Sequence, residues 1–270
     1  MQNVAYLFNS PREYAMNVVE LPEVETAYDK VGAYDQDAIN GFSEQMLTTM
    51  LDIVSPGHAS TILDAMAGNG NLTLRLYDYC ERRGFFPPDV AVLEFSRVQC
   101  ELAREQLVDT PAKVVWGDIL TMEDYENEEF LPESAFDRVM IKSGNHEIPL
   151  SQQLDLYNSI FRVLKPEGMF VNLGFLFDDV EERDQFREIA RCKDSLAGMH
   201  SAVKNRHFLT RDELYTRLQR AGFVDIRCGM HVQYTISSLV VTHAYFPEHK
   251  LGIYARGISG AAGKGHVVAP

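Results

Sequence analysis

The sequence predicts an α/β protein with a doubly wound, seven-stranded, mainly parallel sheet. One antiparallel edge strand, a helical N-terminal cap and a helical insertion after the fifth strand complete the expected fold. Three observations predict it. From Thr61 to Phe246, short runs rich in β-branched and aromatic residues alternate with amphipathic stretches, the pattern of βαβ units around a parallel sheet. The first run ends in an acid and passes through a glycine turn into a helix, Thr61-Ile62-Leu63-Asp64-Ala65-Met66-Ala67-Gly68-Asn69-Gly70-Asn71-Leu72-Thr73. The last two runs are separated only by Thr235 to Ser237, too short for a crossover helix, so they pair antiparallel.

Taken in chain order, Met1 to Asn40 is irregular and Gly41 to Val54 reads as a helix, so residues 1–58 form the cap segment. Residues 59–250 form the sheet domain, with 178–207 as a lid-like insertion, and the Gly- and Ala-rich 251–270 is a flexible tail. Strands are expected at 61–66, 89–94, 112–116, 136–142, 168–175, 223–234 and 237–246. Ser96 with Gln99 and Thr210 with Glu213 have capping-box spacing, and Ser151 after Pro149-Leu150 opens the helix between them. The helical faces read Val98, Leu102; then Leu154, Tyr157, Phe161, Leu164; then Leu214, Leu218, Ala221. Lys165-Pro166-Glu167-Gly168 forces a turn before the fifth strand, and Gly222 stands where a left-handed cap is needed.

Composition narrows the function. At 270 residues, 46% hydrophobic and 24% charged, the chain can bury a substantial core as one main domain. Its apolar runs are strand-sized, far short of a membrane span, and no basic-then-apolar leader opens the chain, which predicts a cytoplasmic protein. Cys80, Cys100, Cys192 and Cys228 are widely spaced and read as buried thiols, so no metal site is expected. A net charge of −14 repels a phosphate backbone. The densest basic groups, Arg82-Arg83 and Lys204 to Arg206, read as solvated surface, which argues against nucleic acid and for a small-molecule partner; a homodimer is left open.

Three successive strand ends carry acids. Asp64 precedes the glycine turn, where Gly68 and Gly70 let the backbone approach a ligand closely. A dinucleotide-binding turn would place a third glycine at position 73, which is Thr73, and a pyrophosphate has no use for a carboxylate at Asp64; a cationic amino-acid ligand does. Glu94, ending Val90-Ala91-Val92-Leu93-Glu94-Phe95-Ser96, is placed to grip the two hydroxyls of a ribose. Asp118, in Val114-Val115-Trp116-Gly117-Asp118-Ile119, can accept from an adenine amino group.

On these residues the chain resembles the class I S-adenosylmethionine-dependent methyltransferases from about Tyr28 to Phe246. Asp64-Ala65-Met66-Ala67-Gly68-Asn69-Gly70 is similar to their glycine-rich first motif, Glu94-Phe95 to the ribose-binding acid and its neighbour, and Gly117-Asp118-Ile119 to the adenine-binding segment. Phe136 to Lys142 resembles the fourth motif, and Leu164-Lys165-Pro166-Glu167-Gly168 the turn before strand five. Met66 departs from the pattern, since a glycine usually stands there. The segment Tyr28 to Asp35 is similar to a stretch of quinone-biosynthesis methyltransferases, which implies Tyr28 or Tyr34 near the cofactor or substrate. The resemblance implies S-adenosylmethionine as cofactor, held by Asp64, Ala65, Met66, Ala67, Gly68, Gly70, Glu94, Phe95, Gly117, Asp118, Ile119, Lys142 and Tyr34.

The expected reaction is methyl transfer to an O, N or C atom of a small molecule. His146 follows strand four in Lys142-Ser143-Gly144-Asn145-His146-Glu147-Ile148-Pro149 and is the candidate general base, with Glu147 raising its basicity or serving itself. His200, Lys204 and His207 are weaker candidates, and His231 and His243 read as sheet residues. The fourth-motif segment lacks the Asn/Asp-Pro-Pro-aromatic and Pro-Cys signatures of nucleic-acid methyltransferases. Two alternatives stand beside this reading: a non-methylating S-adenosylmethionine-binding protein and a nicotinamide-dependent oxidoreductase.

Overall fold

A computed structural model describes residues 44–196, 206–233 and 238–245. Nine strands form one sheet in the order β5-β4-β3-β2-β1-β6-β7-β9-β8. The seven expected strands are β1 (Thr61–Ala65), β2 (Asp89–Glu94), β3 (Lys113–Asp118), β6 (Phe136–Lys142), β7 (Leu164–Leu176), β8 (Val224–Gln233) and β9 (Ser238–Tyr245). Pairings β1–β2, β1–β6, β2–β3 and β6–β7 are parallel. The antiparallel strand is β9, which pairs with both β7 and β8 and so lies one place in from the edge. Two short strands beyond the expectation, β4 (Glu123–Asp124) and β5 (Glu129–Phe130), extend the other edge.

Six helices accompany the sheet among the described residues: α1 (Glu44–Val54), α2 (Asn71–Arg83), α3 (Arg97–Gln106), α4 (Gln153–Val163), α5 (Val180–Leu196) and α6 (Arg211–Ala221). None is long and apolar enough to cross a membrane. The period-2 alternation of the strands divides the core into two layers. Ile62, Val92, Met140 and Val171 pack with α1 and α2, while Leu63, Val139, Ile141 and Phe170 pack with α4 and α6. Helix α1 contributes Met46, Leu47, Met50, Leu51 and Val54, so this part of the cap segment is built into the core.

Local chemistry sets the helix ends. Thr210 and Glu213 form the full capping box, Ser96 Oγ accepts from the Gln99 amide, and Gly222 closes α6 at φ 103°. Helix α4 differs from expectation, starting at Gln153 with no side-chain cap rather than from Ser151. The buried face of α3 is Gln99, Cys100 and Ala103, one step round from Val98 and Leu102. The turn at Lys165 to Gly168 is a bulge inside β7, with Glu167 at φ 71° and the register jumping from Phe136↔Leu164 to Arg138↔Met169. Helix α5 supplies the insertion after β7, the fifth of the main strands.

Candidate functional site

Strand order reverses between β1 and β6, and their carboxyl ends therefore open a crevice where such sheets bind ligands. Asp64, Glu94, Asp118 and Lys142 all stand at this edge. After β1 the chain makes a tight turn in which Met66 (φ 57°), Gly68 (φ 58°) and Gly70 (φ 81°) are left-handed. Gly70 caps α2, and a Cβ there would meet Leu107 Cδ1 at 2.8 Å. The turn is fastened to β2: the Ala67 amide donates to the Leu93 carbonyl, and the Gly68 amide donates to Glu94 Oε2 at 2.8 Å. Glu94 Oε1 accepts from the Ser96 amide at 2.8 Å. Both carboxylate oxygens are thus oriented by backbone N–H groups, Oε2 by Gly68 and Oε1 by Ser96.

The structure shows how Met66 is accommodated. It adopts the left-handed conformation that glycine usually supplies, and its side chain lies against Gly144 in the loop after β6. A Cβ on Gly144 would come within 2.7 Å of Met66 Cβ and 2.9 Å of its sulfur. Gly144 itself has ordinary right-handed angles, φ −102° and ψ −35°, so its role is to leave space. Gly144→Ala is therefore expected to lower stability by about 1–3 kcal/mol through overpacking. Adding Met66→Gly should restore most of that loss in urea unfolding, because the clash is with that side chain.

Asp64 is 1% exposed. Its Oδ2 accepts from the Thr73 hydroxyl at 2.7 Å, and its Oδ1 has no hydrogen-bond partner among the described residues. Thr73, conspicuous in the sequence as an absent glycine, thus holds the acid in place. Burial pushes the Asp64 carboxyl up to about 7, against the lowering effects of the Thr73 hydrogen bond and the nearby Lys142 charge. Asp118 is likewise buried; desolvation raises it to about 6 although its Oδ1 accepts from the Leu120 amide at 2.8 Å. Gly117 permits the close approach of β4, since a Cβ there would lie 2.0 Å from the Glu123 carbonyl oxygen. Beside Glu94, Trp116 Nε1 donates to the Phe95 carbonyl, and the Trp116 and Phe95 rings both pack edge-on against Tyr125.

The second half of the site is the loop after β6. His146 and Glu147 sit in a short 3₁₀ turn, Asn145–Glu147, and both are buried. His207 donates its amide to the His146 carbonyl at 2.6 Å, and Gln153 Nε2, at the start of α4, donates to the carbonyls of Asn145, Ile148 and His207. The His146 ring lies 5.0 Å from that of Phe208, within an aromatic cluster with Phe175, Phe177 and Phe186. Arg206 corrects the surface reading of its segment: its side chain is 9% exposed and ion-paired with Glu147. Its Nη1 lies 2.5 Å from His146 Nε2 and 3.3 Å from Glu147 Oε1. Nothing in the spacing of Arg206 signals this contact, which spans 60 positions of sequence. Tyr34, His200 and Lys204 lie outside the described residues, as do the side chains of His231 and His243.

The residues at the crevice fit an adenosyl amino acid. Glu94 presents two anchored acceptor oxygens for a vicinal diol, Asp118 a buried acceptor one strand further out, and Asp64 a buried oxygen, unpartnered among the described residues, that is suited to an ammonium. A family model described as a methyltransferase domain matches residues 62–168. Demethylmenaquinone methyltransferases from two serovars of Leptospira interrogans are 28% identical over 156 residues, covering 56% of this chain and 57% of theirs. The match thus spans little more than half the length of these curated relatives. Human N-acetylserotonin methyltransferase in complex with S-adenosylmethionine aligns with a TM-score of 0.54 at 15% identity, over 89% of this chain and 61% of that one. The YcgJ protein of Bacillus subtilis aligns with a TM-score of 0.58 at 14% identity, over 76% of this chain and all of that one. At such identities the structural likeness establishes the fold. Residues 62–168 thus match a methyltransferase-domain model, and they lie within a sheet that has the fold of S-adenosylmethionine-dependent methyltransferases.

Proposed function

We propose that the protein transfers the methyl group of S-adenosylmethionine to an O, N or C atom of a small-molecule acceptor. The observation that carries this reading is the row of acids at three adjacent strand ends, Asp64, Glu94 and Asp118, beside a left-handed glycine turn. In this reading Glu94 binds the ribose hydroxyls, Asp118 the adenine amino group and Asp64 the amino-acid ammonium, while Phe95 and Ile119 flank the purine. Residues 59–250 are assigned as the catalytic domain, with 178–207 as its lid-like insertion, of which 197–205 lie outside the described residues. The bound sulfonium supplies a methyl group already activated for transfer. What the protein adds is alignment in a site shielded from water, which can contribute about 7–11 kcal/mol.

The acceptor side is assigned to the His146–Glu147 turn and the aromatic cluster around Phe208. His146→Ala is expected to reduce kcat by roughly 10²-fold or more, with S-adenosylmethionine affinity nearly unchanged by calorimetry. Wild-type turnover in that variant would remove His146 from the reaction. The net charge of −14 supports a small acceptor over nucleic acid. The names of the Leptospira relatives make a demethylated naphthoquinol the first acceptor to try. The test of function is incubation with methyl-labelled donor and a panel holding that quinol, catechols, phenols and primary amines. Label transferred to one member supports the reading. Tight donor binding with no transfer to any of them would favour a non-methylating role.

A further inference from the structure

The contact between Arg206 and the 145–147 turn has a chemical consequence for His146. A guanidinium carries only donors and stays protonated throughout the accessible pH range. Its Nη1 lies 2.5 Å from His146 Nε2, so Nε2 must present its lone pair there. Glu147 Oε1 lies 3.2 Å from the same Nε2 and 3.3 Å from the same Nη1. Two hydrogens on Nη1 satisfy both acceptors at once. The opposite arrangement, a proton on Nε2 shared with Glu147, would set two N–H donors against each other at 2.5 Å. The imidazole is also clamped by its own backbone, through the His207 amide on the His146 carbonyl and Gln153 on the carbonyls either side, and by the Phe208 ring against its face.

We propose that Arg206 is a positioning residue that fixes His146 as the neutral imidazole with its proton on Nδ1, and so withholds Nε2 and Glu147 Oε1 from proton abstraction. The inference rests on the assignment of the 145–147 turn to the acceptor side. It removes Nε2 of His146 as the general base. The acceptor class it selects is one whose nucleophilic atom already carries an available lone pair or negative charge: a free-base amine, a phenolate or an enolate-like carbon. The same guanidinium joins the end of the insertion to the loop after β6, so acceptor binding and the tautomer of His146 depend on one side chain.

The test is nitrogen NMR of the full chain with ¹⁵N-labelled histidine, without donor or acceptor, with the His146 signals identified by their loss in His146→Gln. The expected pattern is a protonated Nδ1 and an unprotonated Nε2 in the wild type. Arg206→Met should abolish that pattern, moving the proton to Nε2 or giving a mixture, and Arg206→Lys should retain it because an ammonium can still donate to Nε2. A wild-type spectrum with the proton on Nε2 overturns the proposal whether or not the variants fold. An unchanged pattern in a folded Arg206→Met overturns it as well. Neither result bears on methyl transfer itself, whose failure would be read with labelled donor, so the two readings fail separately.

Discussion

Replacing Glu94 by alanine should weaken S-adenosylmethionine binding by roughly 10²–10⁴-fold, the loss of two hydrogen bonds to a charged acceptor at about 1.5–3 kcal/mol each. The geometry behind this is specific. Both Glu94 oxygens are held in place by backbone amides, Gly68 from the glycine turn and Ser96 from the start of α3, so the carboxylate reaches the ligand already oriented. Alanine removes the ligand contacts and also one of the two hydrogen bonds that fasten the turn to β2, leaving the bond from the Ala67 amide to the Leu93 carbonyl. Glu94→Gln separates these effects: it keeps the shape and one acceptor oxygen, and should cost roughly tenfold or more. Trp116, the single tryptophan of the chain, donates to the carbonyl of the adjacent Phe95, so its fluorescence provides a direct titration readout. Affinity unchanged in both variants would remove Glu94 from the site.

Asp64→Asn should act in opposite directions on stability and on binding. The folded protein raises this carboxyl from 3.8 to about 7, chiefly by burial. Between those values the folded state holds a proton that the unfolded chain has released, so this group makes stability fall as pH rises from about 4 to 7, and the penalty persists above. Asparagine preserves the acceptor for Thr73 and removes the buried charge, so the variant should unfold at higher temperature than the wild type at pH 8. Its cofactor affinity should nevertheless fall by roughly 10–10²-fold, because the ammonium loses its charged partner. The pH dependence of binding checks the same carboxylate. Wild-type affinity should rise by up to about tenfold per pH unit below 7 as Asp64 ionises and flatten above it, whereas the variant should show no such rise. A wild-type affinity independent of pH between 5.5 and 8 would mean that Asp64 does not face the cation.

The sheet was legible because its signals are local. Each main strand is a short apolar run bounded by turn chemistry, and the acids at the ends of β1, β2 and β3 are read from their place in those runs. What escaped the sequence depends on distant contacts. Met66 looked like a misfit, and its solution lies at Gly144, 78 positions later by subtraction of residue numbers, where an absent Cβ makes room for its side chain. Strands β4 and β5 are two residues each and mostly charged, so no alternation announces them. The α3 face was displaced because Cys100 and Ala103 fill the tight space over β3 where the bulkier Val98 and Leu102 drew attention. Arg206 resembled solvated surface because its burial exists only once the segment before α6 crosses the loop after β6.

The central claim, that the three strand-end acids form a binding site for an adenosyl amino acid, is tested most directly by titration calorimetry of the whole chain with S-adenosylmethionine, S-adenosylhomocysteine and NAD. The predicted result is one-to-one, micromolar binding of both adenosyl compounds and no heat with NAD. Binding of NAD with no response to either adenosyl ligand would contradict it and return the glycine turn to a dinucleotide.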